Sequence, residues 1–363
     1  MQKKRIFGLD LLRALAILIV VYGHGYIVAP DLVITYFPSF PLPEGVDLFF
    51  VLSGFLIGNI LIKLLKNNQF SKFKEVRSFW SRRWFRTLPL YYFILFVNSV
   101  LSYTEIIPSN FNYFNLSFFV FCQNLYTGFV GFFYESWSLS IEEWFYLLIP
   151  LLILLFQKFL PSKKAILLSI LIMIFAPIIY RSMLFNPTLD SFWYSVNFKK
   201  VVLTRLDAIG FGLLAAYFFN YNKLIWNKYK KLFLIVGILL IAYATFFKPF
   251  HQSFYAQAFF LSLLPFGTMF LLPFLNSIHQ IGENWFSKFI TFISKISYSM
   301  YLVNLSIVGL MIAKYSPEIN LQIGIINYIL FWILTISLSI LTYYFIEKPF
   351  LKMRDKKKST KKA

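Results

Sequence analysis

The chain has 363 residues, of which 59 % are hydrophobic and only 14 % charged, with a formal net charge of +20; its mean hydropathy is +0.67. With 46 Phe and 23 Tyr, a water-soluble domain could not hide the apolar surface, so a soluble fold is excluded in favour of an all-α polytopic membrane protein. The positive charge does not point to nucleic acid, because the basic residues cluster in short segments between apolar runs, where they meet anionic lipid and set topology.

Ten spans are predicted in chain order, at 8–28, 47–65, 88–104, 138–157, 165–181, 203–220, 231–247, 254–272, 297–314 and 322–346. The opening MQKKR followed by apolar residues resembles a signal peptide, but no small-residue cleavage site follows, and the stretch is expected to stay as the first helix. Residues 111–130, FNYFNLSFFVFCQNLYTGFV, are the ambiguous stretch: an eleventh span, or a re-entrant or interfacial segment, which its asparagines and scattered aromatics favour. Charge supports ten spans with both termini cytoplasmic. Segments 29–46 and 105–137 hold no Lys or Arg, whereas 66–87, 158–164, 221–230 and the tail are basic, as the positive-inside bias requires. One transmembrane domain over 1–350 and a basic, disordered or lipid-associated cytoplasmic tail over 351–363 follow, with no internal repeat and no further soluble domain expected. The single Cys122 excludes an internal disulfide, and no metal site is expected.

The first span, GLDLLRALAILIVVYGHG, carries Arg13 and His24. Eleven residues on a helix return to within about 20° of the same face and rise about 16 Å. Both should therefore face protein or a water-filled cavity, with Asp10 one turn below Arg13 and able to pair with it. Snorkelling of Arg13 and His24 to opposite interfaces is the bland alternative. In SFWSRRWFRTLPLYY, Arg82, Arg83 and Arg86 sit three and four apart and suit a phosphate in fork geometry, although basic residues ahead of a span also simply hold it inside. In ESWSLSIEEWFYLLIP, Glu142 and Glu143 open a helix about 100° apart. One suits the helix dipole; the other is expected to point inward and orient the His24 imidazole. In TRLDAIGFGLLAA, Arg205 and Asp207 are two apart and must find partners elsewhere. Asp47 and Ser53 lie in the outer half of the second span, where Gly54 and Gly58 suit close helix packing.

The polar groups thus sort into two layers: Arg13, Arg82, Arg83, Arg86 and Glu347 on the inner side, and His24, Asp47, Glu142, Glu143, Arg205 and Asp207 on the outer. This pattern fits a membrane enzyme using a cytoplasmic phosphate-bearing donor, or a transporter or exporter of a glycan or acylated metabolite.

These blocks, followed by ISYSMYLVN and YYFIEKPF, resemble in order those of the acyltransferase-3 family of integral membrane acyltransferases. The resemblance implies an O-acetyltransferase of the bacterial cytoplasmic (inner) membrane. It would move an acetyl group from cytoplasmic acetyl-CoA to a hydroxyl of a cell-surface glycan, such as O-antigen, capsule, exopolysaccharide or peptidoglycan, or of a lipid-linked oligosaccharide. It implies His24 as the catalytic base, oriented by Glu142 or Glu143. Arg13, Arg82, Arg83 and Arg86 would hold the donor, and Asp47, Arg205, Asp207 and Asn304 the acceptor. Some family members carry a fused extracytoplasmic domain, so this chain is expected to act alone or with a separate extracytoplasmic partner. One departure stands out: many members have a histidine where this chain has Asn304, and an amide hydrogen-bonds but does not titrate near neutral pH.

Overall fold

The computed structural model describes residues 5–36, 42–67, 70, 73–279 and 284–359. Ten principal helices follow one another: α1 (Phe7–His24), α2 (Gly45–Lys66), α3 (Phe73–Tyr103), α4 (Ser136–Gln157), α5 (Ser162–Met183), α6 (Val202–Tyr221), α7 (Lys230–Phe246), α8 (Leu261–Leu275), α9 (Trp285–Val303) and α10 (Leu321–Thr342). Among the described residues, nine helical stretches are long and apolar enough to cross a membrane. α7, with 17 residues, falls just short of the usual span. In lipid no water pairs with backbone amides, so each apolar run closes its own hydrogen bonds as a helix.

Three expectations are corrected. The basic stretch before the third span is helical and part of it: from Phe73 it is the first half of the 31-residue α3. Good helix formers such as Arg, Lys and Glu there let the helix run past the apolar part. The ninth span likewise starts early, at Trp285. The basic tail continues α10 as a helix through Lys348–Ser359; its last four residues, and the first four of the chain, lie outside the described residues.

Segment 111–130 makes only two short 3-10 turns, Phe111–Tyr113 and Leu116–Phe119, and does not cross. It folds back between α3 and α4. Tyr91 and Tyr92 hydroxyls donate to the Phe118 and Phe119 carbonyls, each at 2.8 Å, and Trp144 Nε1 donates to Phe121 O at 2.9 Å. Tyr91 lies twelve residues from the end of α3, roughly 18 Å along its axis, so the segment reaches well down the bundle, as a re-entrant element does.

Two apolar cores form the bundle. One is built mainly on α2, α4, α5 and α6, the other on α1, α3 and α9 with the segment after α9 and the folded-back loop. The tightest contact joins α2 to α6. A Cβ at Gly54 would collide with the Ile209 carbonyl oxygen, and one at Gly212 with the Val51 carbonyl oxygen. Gly58 meets Ala216 one turn on. Small residues four apart on both helices let the backbones touch, which in lipid replaces the missing hydrophobic drive. Gly54→Leu should therefore cost more than the usual 1–3 kcal/mol of overpacking, because backbone rather than a pliant side chain blocks it. The expected result is a sharply lower unfolding temperature in detergent and loss of monodisperse protein on size exclusion.

α1 and α9 run side by side in the same direction. Arg13 approaches Ser294 at 3.5 Å near the middle of both, and His24 meets Asn304 at their far ends. This parallel pairing is what ten spans, the first and ninth crossing in one sense, require.

Candidate active site

Where the two cores meet, α1, α2, α3, α4 and α9 surround a cavity of about 100 Å³. Its walls hold Arg13 from α1, Ser53 from α2, Arg83, Arg86 and Thr87 from α3, Ser138, Glu142 and Tyr146 from α4, and Ser297, Tyr298 and Tyr301 from α9. Sequence separations of up to about 290 residues thus converge on one polar space.

The cationic part is underpaired. Arg5 takes both oxygens of Asp10, at 2.6 and 2.7 Å, so the expected Arg13–Asp10 pair is loose, at 3.6 Å. Arg13 makes only a long contact to Ser294 besides. Among the described residues Arg83 and Arg86 have no carboxylate within ion-pair distance, and Arg83 lies 5.9 Å over the Phe79 ring. Glu142 and Glu347 act on Arg86 only at longer range, and cations held in a bundle interior without a close ion-pair partner mark an anion site. Arg82 does not join them: it is exposed and its Nε reaches only the Ser78 carbonyl at 3.4 Å. Adjacent helical positions differ by about 100°, so the expected triad is a pair, with Arg13 as its third member.

Glu142 faces this cavity. Its Oε2 accepts from the Tyr146 hydroxyl at 2.8 Å, and that hydroxyl lies 2.7 Å from Ser53 Oγ. Glu143 points away, into a separate groove, and accepts from Thr87 Oγ1 at 2.7 Å. Neither carboxylate meets His24. The group on the imidazole is Asn304, whose Oδ1 lies 2.5 Å from Nδ1. Asn304 Nδ2 gives both its protons to backbone, the Met300 and Tyr301 carbonyls at 2.8 Å each. Its oxygen is therefore what faces the ring, so Nδ1 carries the proton and Nε2 keeps its lone pair. The amide at the family's histidine position thus sets the tautomer, a role that needs no titration. His24 does not itself line the cavity; Asn304 stands one turn beyond Tyr301, which does, its hydroxyl 2.6 Å from Ser138 Oγ.

Asn304 is presented by a π turn, Asn304–Gly309, a local widening common at functional sites. Glu135, 1 % exposed, holds that turn. Its Oε1 accepts from Leu305 N at 3.1 Å and Ser306 N at 2.6 Å, and its Oε2 accepts from Ser306 Oγ. Sequence reasoning passed over Glu135, because nothing local marks a carboxylate that caps a segment 170 residues away.

The remaining outer charges are paired internally rather than turned to an acceptor. Arg205 pairs with Asp47 and donates to the Leu261 carbonyl at 3.1 Å. Asp207 pairs with Arg181 at 3.1 Å, both fully buried. Arg181, also missed, uses all five N–H groups: on Asp207, Ser262 Oγ at 2.6 Å, Ala258 O at 3.0 Å and Thr204 O. These pairs tie α2, α5, α6 and α8 together beside the cavity. Arg181→Ala should destabilise by about 3–5 kcal/mol, since it strands a buried carboxylate; a matching drop in thermal unfolding temperature is the measurement.

Comparison with known proteins shows the family. The chain matches the acyltransferase-3 profile, described as an acyltransferase domain, over residues 6–344. It is 27 % identical to the peptidoglycan O-acetyltransferase OatA of Listeria monocytogenes across 97 % of this chain and 56 % of that protein. It is 28 % identical to a putative O-acetyltransferase of Staphylococcus aureus strain COL across 95 % of this chain and 57 % of the relative. With the O-acetyltransferase OatA of Staphylococcus aureus it shares 28 % across 85 % and 52 %. The chain therefore spans little more than half the length of these relatives. No solved structure matches. A profile match over nearly every described helix, including those that carry Arg13, His24, Arg83 and Arg86, places this chain in the acyltransferase-3 family of integral membrane proteins.

Proposed function

We propose that the protein is a membrane O-acetyltransferase that moves an acetyl group from cytoplasmic acetyl-CoA to a hydroxyl of a cell-surface glycan. The observation that carries this is the pair of guanidinium groups without a close ion-pair partner, Arg83 and Arg86, in a cavity also lined by Tyr301, one helical turn from the Asn304 that fixes the His24 tautomer. The 3′-phosphate and pyrophosphate of coenzyme A are anions of the kind a guanidinium fork grips. Arg13 adds a third positive group at the same level.

The pantetheine arm would lie along the Glu142–Tyr146–Ser53 wall towards Tyr301. His24 Nε2 would take the proton of the acceptor hydroxyl as its oxygen attacks the thioester carbon. The new C–O bond forms, the C–S bond breaks, and the proton passes to the departing thiolate. The cytoplasmic origin of the donor follows from the basic segments flanking the arginines. The relatives' names favour a glycan acceptor; peptidoglycan, named for the Listeria protein, is one candidate beside O-antigen, capsule and exopolysaccharide.

Mass spectrometry of surface glycans from cells with and without the gene tests this. Loss of one acetyl mass per modified unit, restored by the wild-type gene, is expected. Unchanged glycan masses with altered glycan export would contradict the transferase reading and favour transport.

A further inference from the structure

The Glu143 side of α4 has no part in the chemistry above, yet it borders a second space. α3, α4 and the folded-back segment enclose a groove of about 470 Å³. Trp84, Phe119 and Val120 line it and are exposed, so in a bilayer it opens sideways to lipid. Leu88 and Leu147 extend the apolar wall.

Glu143 is the polar exception in that wall. It is 7 % exposed. Oε1 is satisfied by Thr87 Oγ1, but Oε2 has no hydrogen-bond partner among the described residues. The Trp84 indole approaches this carboxyl as a weak donor, short of the geometry of a full hydrogen bond. Buried carboxylate oxygens are rarely left open, and a groove facing lipid has no bulk water to fill the gap. Thr87 lines the central cavity while Glu143 lines the groove, so the two spaces share the Thr87–Glu143 pair as a wall.

We propose that this groove is a binding site for a neutral, single-chain lipid alcohol, its hydrocarbon chain along Trp84, Leu88 and Leu147 and its hydroxyl donating to Glu143 Oε2. Two features choose that chemistry. No Lys or Arg lines the groove, so nothing there would hold a phosphate headgroup. Glu143 also lies seven residues inside α4, roughly 10 Å below its far end, deeper than headgroups sit. A strongly hydrated ammonium would be costly to strip at that depth, whereas a hydroxyl is not. The site is independent of acetyl transfer and stands whether or not that reading holds.

The test uses the full chain in lipid nanodiscs and oleyl alcohol carrying a diazirine in its chain, with the methyl ether of the same compound as control. After illumination, peptide mass spectrometry locates the labels. Labelling is expected within 84–92, 119–122 and 143–147, about fivefold stronger for the alcohol than for the ether, as loss of one hydrogen bond implies. Leu147→Trp, which fills the groove, should reduce it to the level of the ether. Equal labelling by alcohol and ether, or labels spread evenly over all lipid-facing helices, would overturn the proposal. The alcohol–ether comparison on the wild-type chain decides this even if the variant does not fold.

Discussion

His24→Ala is expected to lower acetyl transfer by about 10²- to 10⁴-fold, the range that a positioned general base supplies, while the protein still inserts and purifies as a folded bundle. The half-buried ring makes one hydrogen bond, to Asn304, so its removal strands a single amide oxygen and leaves both cores intact. The measurement is transfer of labelled acetyl from acetyl-CoA to glycan in membranes, beside a thermal unfolding scan of the purified variant. Asn304→Ala should lose less, because the base remains and only its tautomer preference goes. Its deficit should fall on kcat rather than on KM for acetyl-CoA. Activity near wild type in His24→Ala would remove the imidazole from the chemistry.

The second large effect concerns the donor. Arg83→Ala and Arg86→Ala should each weaken acetyl-CoA binding by roughly 1.5–3 kcal/mol, about ten- to a hundredfold, as expected for hydrogen bonds to charged groups. Their combination should come close to abolishing turnover at ordinary donor concentrations. The loss should appear in KM, since phosphate contacts remote from the thioester bind ground and transition states alike. Arg82→Ala is the internal comparison. It removes the same charge from the same helix, but from an exposed side chain outside the cavity, and should change KM little. A Lys at position 83 or 86 should restore only part of the binding, because an ammonium lacks the planar fork. If Arg82→Ala proved as damaging as Arg83→Ala, the gain in donor binding would come from net charge near the membrane and not from the cavity.

The helices were largely legible in the sequence because, in lipid, hydropathy and the backbone's need for internal hydrogen bonds are nearly the same signal. The boundaries that misled were those where a helix outruns its apolar part, as at Phe73 and Lys348; there propensity, not hydropathy, decides. Arg13 and His24 were legible as one stripe because an eleven-residue spacing is a property of one helix, and α9 indeed meets both. Arg82 was misplaced because proximity in sequence was read as a shared face; one residue's turn sends it outward.

The partners of buried charges were not legible. Asp47 with Arg205, Asp207 with Arg181, and Glu135 with Ser306 join residues 158, 26 and 171 positions apart. No periodicity encodes such pairs, which arise only when helices pack. The same holds for Asn304. The family resemblance implied a departure there, while the bundle shows what the amide does: both its protons are taken by carbonyls, which leaves its oxygen for the ring.

The account stands or falls on where the donor binds. A cryo-EM map of the full chain saturated with coenzyme A is the most direct measurement. Density in the central cavity, with phosphates against Arg83 and Arg86 and the thiol end running past Tyr146 towards Tyr301, is the predicted result. Coenzyme A bound elsewhere, with that cavity empty or filled by lipid, would contradict it.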